Sequence, residues 1–221
     1  MKAEQLLDNE KERFDSLYRL YLEYNTHTNI SAIRDKDEVY NKHFLDSLKI
    51  LEHHSFAENS KILDLGAGGG FPIIPLAIVL PHLKFFALDA TAKKTKFIEL
   101  VKKELSLSNL EIITGRAEEF AHDDQFREEF DFVLARAVAK LNILLELSSG
   151  FIKKKGSLFA YKAYSIDDEE KASLKAQKHL SLVFSKRYLV SEGRQILLFT
   201  KIDSLTNKYP RQFAQIKTKA L

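Results

Sequence analysis

Lys61-Ile-Leu-Asp64-Leu-Gly66-Ala-Gly68-Gly-Gly70-Phe71-Pro72 is a short apolar run that carries one carboxylate, enters four glycines within five residues and stops at a proline. The run Lys61–Leu65 reads as a buried strand. Glycine admits left-handed backbone and lets a ligand approach where a Cβ would stand in the way. Pro72 suits the first turn of a helix, where its missing N–H has no role to lose. Strand, turn and helix in this order put the glycines at the carboxyl end of a strand, in the crevice where open α/β sheets bind ligands.

Working outward, the chain alternates between β-rich runs and helical patterns. Strands are predicted at 61–65, 84–89, 110–114, 131–136 and 156–162, with helices near 73–80, 92–105, 117–121 and 139–148. Such alternation with short connections implies a parallel sheet covered by helices on both faces. A polar helix over 167–179 precedes two further strands, 181–190 and 194–202, joined by Ser191-Glu-Gly193 as a hairpin. The expected fold is therefore α/β: a mixed seven-stranded, Rossmann-like sheet closed by an antiparallel hairpin. It resembles the class I methyltransferase sheet more than that of a dehydrogenase.

Before the sheet, Phe14, Leu17, Tyr18, Tyr21 and Tyr24 form one apolar stripe of a helix, which Asn25-Thr-His-Thr-Asn29 is expected to interrupt. A second helix carries Tyr40, Phe44, Leu48 and Leu51 on one face. Residues after Ser204 show no clear periodicity. The domain reading is a helical extension over 1–55 packed on the core, a cofactor-binding domain over 56–203 and a basic tail over 204–221.

Three strand ends converge on one ligand. The Asp64 carboxylate can fix the glycine loop at Gly66 and Gly68 and meet the amino end of an aminoacyl ligand. Asp89 closes the second strand, the position from which a carboxylate reaches ribose hydroxyls. Arg116-Ala117-Glu118 follows the third strand, where a backbone amide and a carboxylate can address an adenine edge. Together they outline a bed for an adenosine with a charged amino-acid arm, which is S-adenosylmethionine. A dinucleotide fingerprint would need a third small residue where Phe71 stands, and the bulky ring instead suits the lining of a methionine end. A phosphate-cradling loop is excluded because no Lys-Ser/Thr pair follows the glycines.

The acceptor is narrowed by what the chain lacks. Enzymes acting on exocyclic amines usually carry Asn/Asp-Pro-Pro-aromatic after the fourth strand, and Leu134-Ala-Arg136-Ala137-Val138 stands there instead. Pyrimidine C5 methylation needs a cysteine nucleophile, and the chain has no cysteine. What is left is an acceptor already nucleophilic, such as a purine ring nitrogen, together with oxygen acceptors that need a base. Arg136 suits the acceptor edge of guanine, where arginine pairs or stacks. Its alternatives are a structural pair with Asp64 or Glu118, or a hold on the cofactor. His43 and Asp46 share a helix face and can hydrogen-bond. With no third ligand apparent, no metal site is expected, and a packing or capping role for the pair weighs against one on the RNA side of the cleft.

Charge is uneven along the 221 residues. From Lys186 onward there are eight cations against two anions, a net +6, which leaves residues 1–185 at −3 within a total of +3. A basic end on a mildly acidic body suits phosphate contact through counterion release. Lys208, Arg211, Lys217 and Lys219 are the candidate RNA contacts, against the reading of a solvated tail. The absence of cysteine, of a signal-peptide pattern and of a run of about 18 apolar residues points to a cytoplasmic protein, away from membranes and expected to act as a monomer.

An ordered series of segments is similar to the bacterial ribosomal RNA small subunit methyltransferase G family, also called glucose-inhibited division protein B. The series comprises Asn29-Ile-Ser-Ala-Ile33, His43-Phe-Leu-Asp-Ser-Leu48, Asp64 to Pro72, Asp89 with Lys93-Lys94, Gly115-Arg-Ala-Glu-Glu119, Ala135-Arg-Ala137 and Tyr209-Pro-Arg211. The resemblance implies S-adenosylmethionine-dependent methylation of N7 of one guanine in 16S rRNA, free or in an assembling small subunit. It also implies cofactor contacts at Gly66, Phe71, Asp89, Ala90, Thr91, Ala117, Glu118 and Arg136. Ala90-Thr91 replaces a commoner Ser-Leu type of pair. After Arg211 the family often continues with arginine and glycine, whereas this chain has Gln212-Phe213. Two rivals are a ribosome-binding assembly factor whose methylation is secondary, and a methyltransferase acting on a small molecule or protein.

Overall fold

A computed structural model describes residues 2–163, 165–191 and 193–221. Its centre is one seven-stranded sheet: β1 (Lys61–Leu65), β2 (Lys84–Asp89), β3 (Leu110–Thr114), β4 (Phe130–Arg136), β5 (Ile152–Ala163), β6 (Leu182–Ser191) and β7 (Arg194–Lys201). The strand order is β3-β2-β1-β4-β5-β7-β6, parallel from β3 through β5 and antiparallel for β7 and β6. This mixed sheet is the one read from the sequence. The apolar character of β1 through β5 follows from burial on both faces.

Alternate residues feed two cores. Ile62, Phe85, Ala87, Leu134 and Phe159 face the amino-terminal helices, whereas Leu63, Leu65, Leu88, Val133 and Leu158 face the opposite layer. The first layer holds α1 (Ala3–Asn9), α2 (Lys11–Thr28), α3 (Lys36–Val39), α4 (Asp46–Leu48), α5 (Ile73–Val79) and α6 (Ala92–Glu104). The other holds α7 (Ala117–Phe120), α8 (Leu141–Ser149), α9 (Asp167–His179) and α10 (Phe213–Thr218). Phe14, Leu17 and Tyr21 of α2 are fully buried, each contributing roughly 1.5–3 kcal/mol through removal from water. The predicted stripe is therefore what seats the extension on the sheet.

Several boundaries differ from the sequence reading. Asn25 to Thr28 continue α2, and the chain leaves the helix at Asn29 in a left-handed turn (φ 49°). The Asn25 side chain, which suggested a break, is buried and bridges Ser31, donating to its carbonyl at 2.9 Å and accepting from its N–H at 3.1 Å. The expected second helix is composite: α3, a wide π-type turn over Tyr40–Leu45, α4 and a tight 3-10 turn over Lys49–Glu52. β5 starts four residues before its expected position, because the exposed Lys153-Lys154-Lys155 run disguises an irregular start beside β4. The segment after Ser204, expected to be irregular, carries α10 with Ile216 fully buried. One residue of the hairpin connection, Glu192, lies outside the described residues.

Candidate functional site

β1 ends in a loop whose shape needs its glycines. Gly66 has φ +71°, and a Cβ there would lie 2.9 Å from Val138 Cγ2, so the loop and the segment after β4 touch backbone to side chain. The N–H groups of Gly66 and Ala67 both donate to the Leu88 carbonyl, at 2.8 and 3.0 Å. Asp89 then braces the turn from the end of β2: its Oδ2 accepts from Gly68 N–H at 2.9 Å and its Oδ1 from Thr91 N–H at 2.8 Å. The second acidic strand end thus shapes the glycine loop as well as facing the cleft.

Gly66, Asp89, Ala90, Ala117 and Glu118 line a single cavity of about 190 Å³ at the carboxyl ends of β1 to β3, with Val138 and Ala139 on the far side. Five of the residues predicted to touch the cofactor therefore meet there. Gly68 and Thr91 stand behind it, tied to Asp89. Phe71 lies elsewhere: its ring stacks on His43 with centroids 4.6 Å apart and lies edge-on to Tyr21. Its bulk serves the contact between the glycine loop and the amino-terminal extension.

Asp64 is fully buried, and neither of its carboxylate oxygens has a hydrogen-bond partner of normal geometry among the described residues. Burial pushes its carboxyl up to about 7, against the pull of the Arg136 charge and the Ile73 N–H. A buried carboxylate with no donor is costly, and a cationic ligand group or a bridging water at this strand end would supply what the chain withholds.

Arg136, the last residue of β4, lines a second cavity of about 420 Å³. It pairs with neither Asp64 nor Glu118, the two structural partners expected of it. Its guanidinium donates to Asp46 Oδ2 at 3.0 Å, to the Lys42 carbonyl at 3.2 Å and to His43 Nδ1 at 3.2 Å. Arginine has only donors, so His43 Nδ1 is the accepting nitrogen and Nε2 carries the hydrogen, which it donates to Ser31 Oγ at 3.1 Å. Burial, reinforced by the charges of Arg136 and Arg194, lowers His43 to about 4 and keeps the ring neutral. His43 and Asp46 thus share a helix face, as read, and both bond to Arg136.

Arg194, at the start of β7, reaches the same carboxylate, with its Nη1 2.6 Å from Asp46 Oδ2. Asp46 accordingly gathers two guanidinium groups from distant strands at the wall of this cavity. Lys162 and Tyr161 complete the wall from β5, and Lys162 Nζ donates to both Glu169 and the Ala139 carbonyl at 2.7 Å. Ala137, a non-glycine residue at φ +58°, lines the second cavity, and Val138 and Ala139 after it line the first. Sequence reasoning missed Arg194, Lys162 and the bridging role of Asp46. The only signal was a carboxylate among hydrophobic residues on a helix.

Two cations of the carboxyl-terminal region are committed inside the fold. Arg211 binds the fully buried Glu146 through its backbone N–H, Nε and Nη2, at 3.0, 2.7 and 2.6 Å. Lys201 is fully buried and donates to Glu128 and to the Ser149 and Ile152 carbonyls. Lys208, Lys217 and Lys219 remain exposed. Among the described residues, no helix is long and apolar enough to cross a membrane.

Comparison with known proteins places this geometry. The family model described as rRNA small subunit methyltransferase G matches residues 10–197. A protein of Streptococcus equi subsp. zooepidemicus named ribosomal RNA small subunit methyltransferase G is 41% identical over 215 residues, covering 94% of this chain and 90% of that protein. A protein of the same name from Streptococcus agalactiae serotype V is 41% identical over 212 residues, with the same coverage. Among solved structures, a SAM-dependent methyltransferase from Aquifex aeolicus aligns with a TM-score of 0.62 at 17% identity, over 79% of this chain and 98% of its own. The fibrillarin pre-rRNA processing protein of Methanococcus jannaschii aligns with a TM-score of 0.55 at 18% identity, over 70% and 74%. At such identities these two structures speak for the fold.

Proposed function

The chain belongs to the rRNA small subunit methyltransferase G family, and from that premise we propose that it transfers a methyl group from S-adenosylmethionine to N7 of one guanine of 16S rRNA. S-Adenosylmethionine is the cofactor of this family and fold. The cleft between Gly66, Asp89 and Glu118 suits its nucleoside, and the unpartnered Asp64 suits its ammonium group. When bound there it supplies an electrophilic methyl carbon on a sulfonium.

The observation that carries the choice of acceptor is that both candidate bases of the second cavity are already engaged. Asp46 is paired with two arginines, and His43 has its free lone pair on Arg136. An acceptor that must lose a proton would find no base there, whereas guanine N7 attacks with an exposed lone pair. S-Adenosylmethionine held in the first cavity would supply the methyl carbon and take up the electron pair of its C–S bond, leaving the positive charge on the guanine. The chain's task is then alignment and field, not proton transfer. Arg136, with three of its donors fixed, keeps a set orientation, and a donor held at O6 orients a guanine without covering N7. The substrate is the RNA itself or an assembling small subunit, met by a cytoplasmic monomer.

The direct test is mass mapping of 16S rRNA from strains with and without the gene. One 7-methylguanine should disappear on deletion and return with the wild-type chain, while Arg136→Ala should restore none of it. Unchanged modification in the deletion strain would remove the proposal.

A second expectation follows from Asp64. Its carboxyl holds a proton up to about pH 7, and an ammonium group beside it favours the ionised form. Binding of S-adenosylmethionine below pH 7 should therefore release a proton. Affinity should rise about tenfold per pH unit toward 7 and level off above it. Titration calorimetry near pH 6 in buffers of different ionisation heat measures this release directly. The Asp64→Asn variant should show none, and a pH-independent wild type would take Asp64 out of the amino-end role.

A further inference from the structure

The tail meets the cofactor cavity from an unexpected side. Three separate contacts hold it against the helical layer that carries α8. Arg127 donates to the Leu205, Thr206 and Tyr209 carbonyls at 3.2, 3.2 and 3.1 Å. His122 Nε2 donates to the Pro210 carbonyl at 2.8 Å, and Arg211 locks onto Glu146. Ile216, fully buried, pins α10 just beyond. Between these anchors Phe213, the first residue of α10, lines the cavity together with Arg116, Ala117, Glu118 and Leu147 of α8.

We propose that Phe213 forms the apolar wall on which the adenine of S-adenosylmethionine rests, so that the carboxyl-terminal segment completes the cofactor site. An aromatic ring at the nucleoside end of a cleft gains from stacking on a base. The same cavity supplies what a flat base edge needs, with backbone amides at Arg116 and Ala117 and the Glu118 carboxylate. The anchors matter because a six-residue helix has little stability of its own; Arg127, His122 and Glu146 hold the ring in place before the ligand arrives. The proposal rests on the reading that the cavity between Asp89 and Glu118 takes the nucleoside.

The test is calorimetric titration with S-adenosylhomocysteine, which needs no RNA. Phe213→Ala should weaken binding about tenfold, and Phe213→Tyr should stay within about twofold of wild type. Gly66→Trp, which fills the cleft from the other side, should bind nothing measurable. Unchanged affinity in Phe213→Ala alongside lost affinity in Gly66→Trp overturns the role of Phe213 and leaves the cleft assignment standing. Unchanged affinity in both overturns the cleft itself. The chain has no tryptophan, so Phe213→Trp adds a single indole that needs no deletion of packing volume. Its emission should be quenched by S-adenosylhomocysteine, and an indifferent signal from folded protein overturns the proposal independently.

Discussion

Asp46→Ala should lower kcat for methylation at least about 100-fold while leaving affinity for S-adenosylhomocysteine within about threefold. Asp46 is nearly buried and is the shared counter-charge of Arg136 and Arg194, at 3.0 and 2.6 Å. Without it two guanidinium groups at the same cavity wall lose their shared counter-charge. Arg136 is then drawn toward Asp64, the other carboxylate whose field it already feels. A displacement of about 1 Å in a group that aligns an acceptor costs on the order of 100-fold in rate. The cofactor cavity is built from other strand ends, so binding of the methyl donor should hardly change. Asp46→Asn keeps an acceptor oxygen for one arginine and should fall between. Steady-state rates on 16S rRNA, paired with calorimetry, separate the two effects; a variant that lost donor affinity and kept kcat would contradict the assignment.

Arg211→Ala should destabilise the fold by about 3 kcal/mol. The cost arises because Glu146 is completely buried in α8 and takes three hydrogen bonds from this one residue. Removing the guanidinium leaves a carboxylate without a counter-charge in the helical layer, which costs about 3–5 kcal/mol in buried pairs. The lower end applies because Arg211 keeps part of its surface in water and the backbone N–H contact survives. For a chain of this length the melting temperature should fall by about 6–12 °C. Urea unfolding gives the free energy, and combining the change with Glu146→Gln should recover part of the loss, since a neutral amide is cheaper to bury. Equal stability of Arg211→Ala and wild type would show that the pair contributes nothing.

The parallel sheet and the glycine turn were legible because their signals are local. A strand such as β1 announces itself in five residues, and the turn in the next six. Asp89 could be placed for the same reason, at the end of a β-rich run. The cluster around Asp46 could not be read in this way. Asp46 meets Arg136 and Arg194 across 90 and 148 residues of chain, and no spacing rule links a helix carboxylate to two strand-end arginines. The Phe71 ring could not be placed, because a bulky residue after a glycine loop excludes one ligand without saying where the ring goes. It goes to His43, a neighbour supplied by the extension. The carboxyl-terminal charge was counted without its partners. Arg211 and Lys201 are cations that the fold consumes, and Phe213 sits on too short a helix to leave a periodicity.

The strand order has a consequence for how the enzyme comes into being on a translating ribosome. β7 is the last strand synthesised, yet it lies inside the sheet, between β5 and β6. β6 emerges first and has no partner until β7 slots in beside it, so the sheet stays unfinished until residue 201 has left the exit tunnel. Arg194 arrives on that same strand. The carboxyl ends of β1, β2 and β3 can take shape on the nascent chain, while Arg194 meets Asp46 only once β7 has formed. Chain growth thus sets an order of assembly, with the glycine loop formed before the Asp46 cluster.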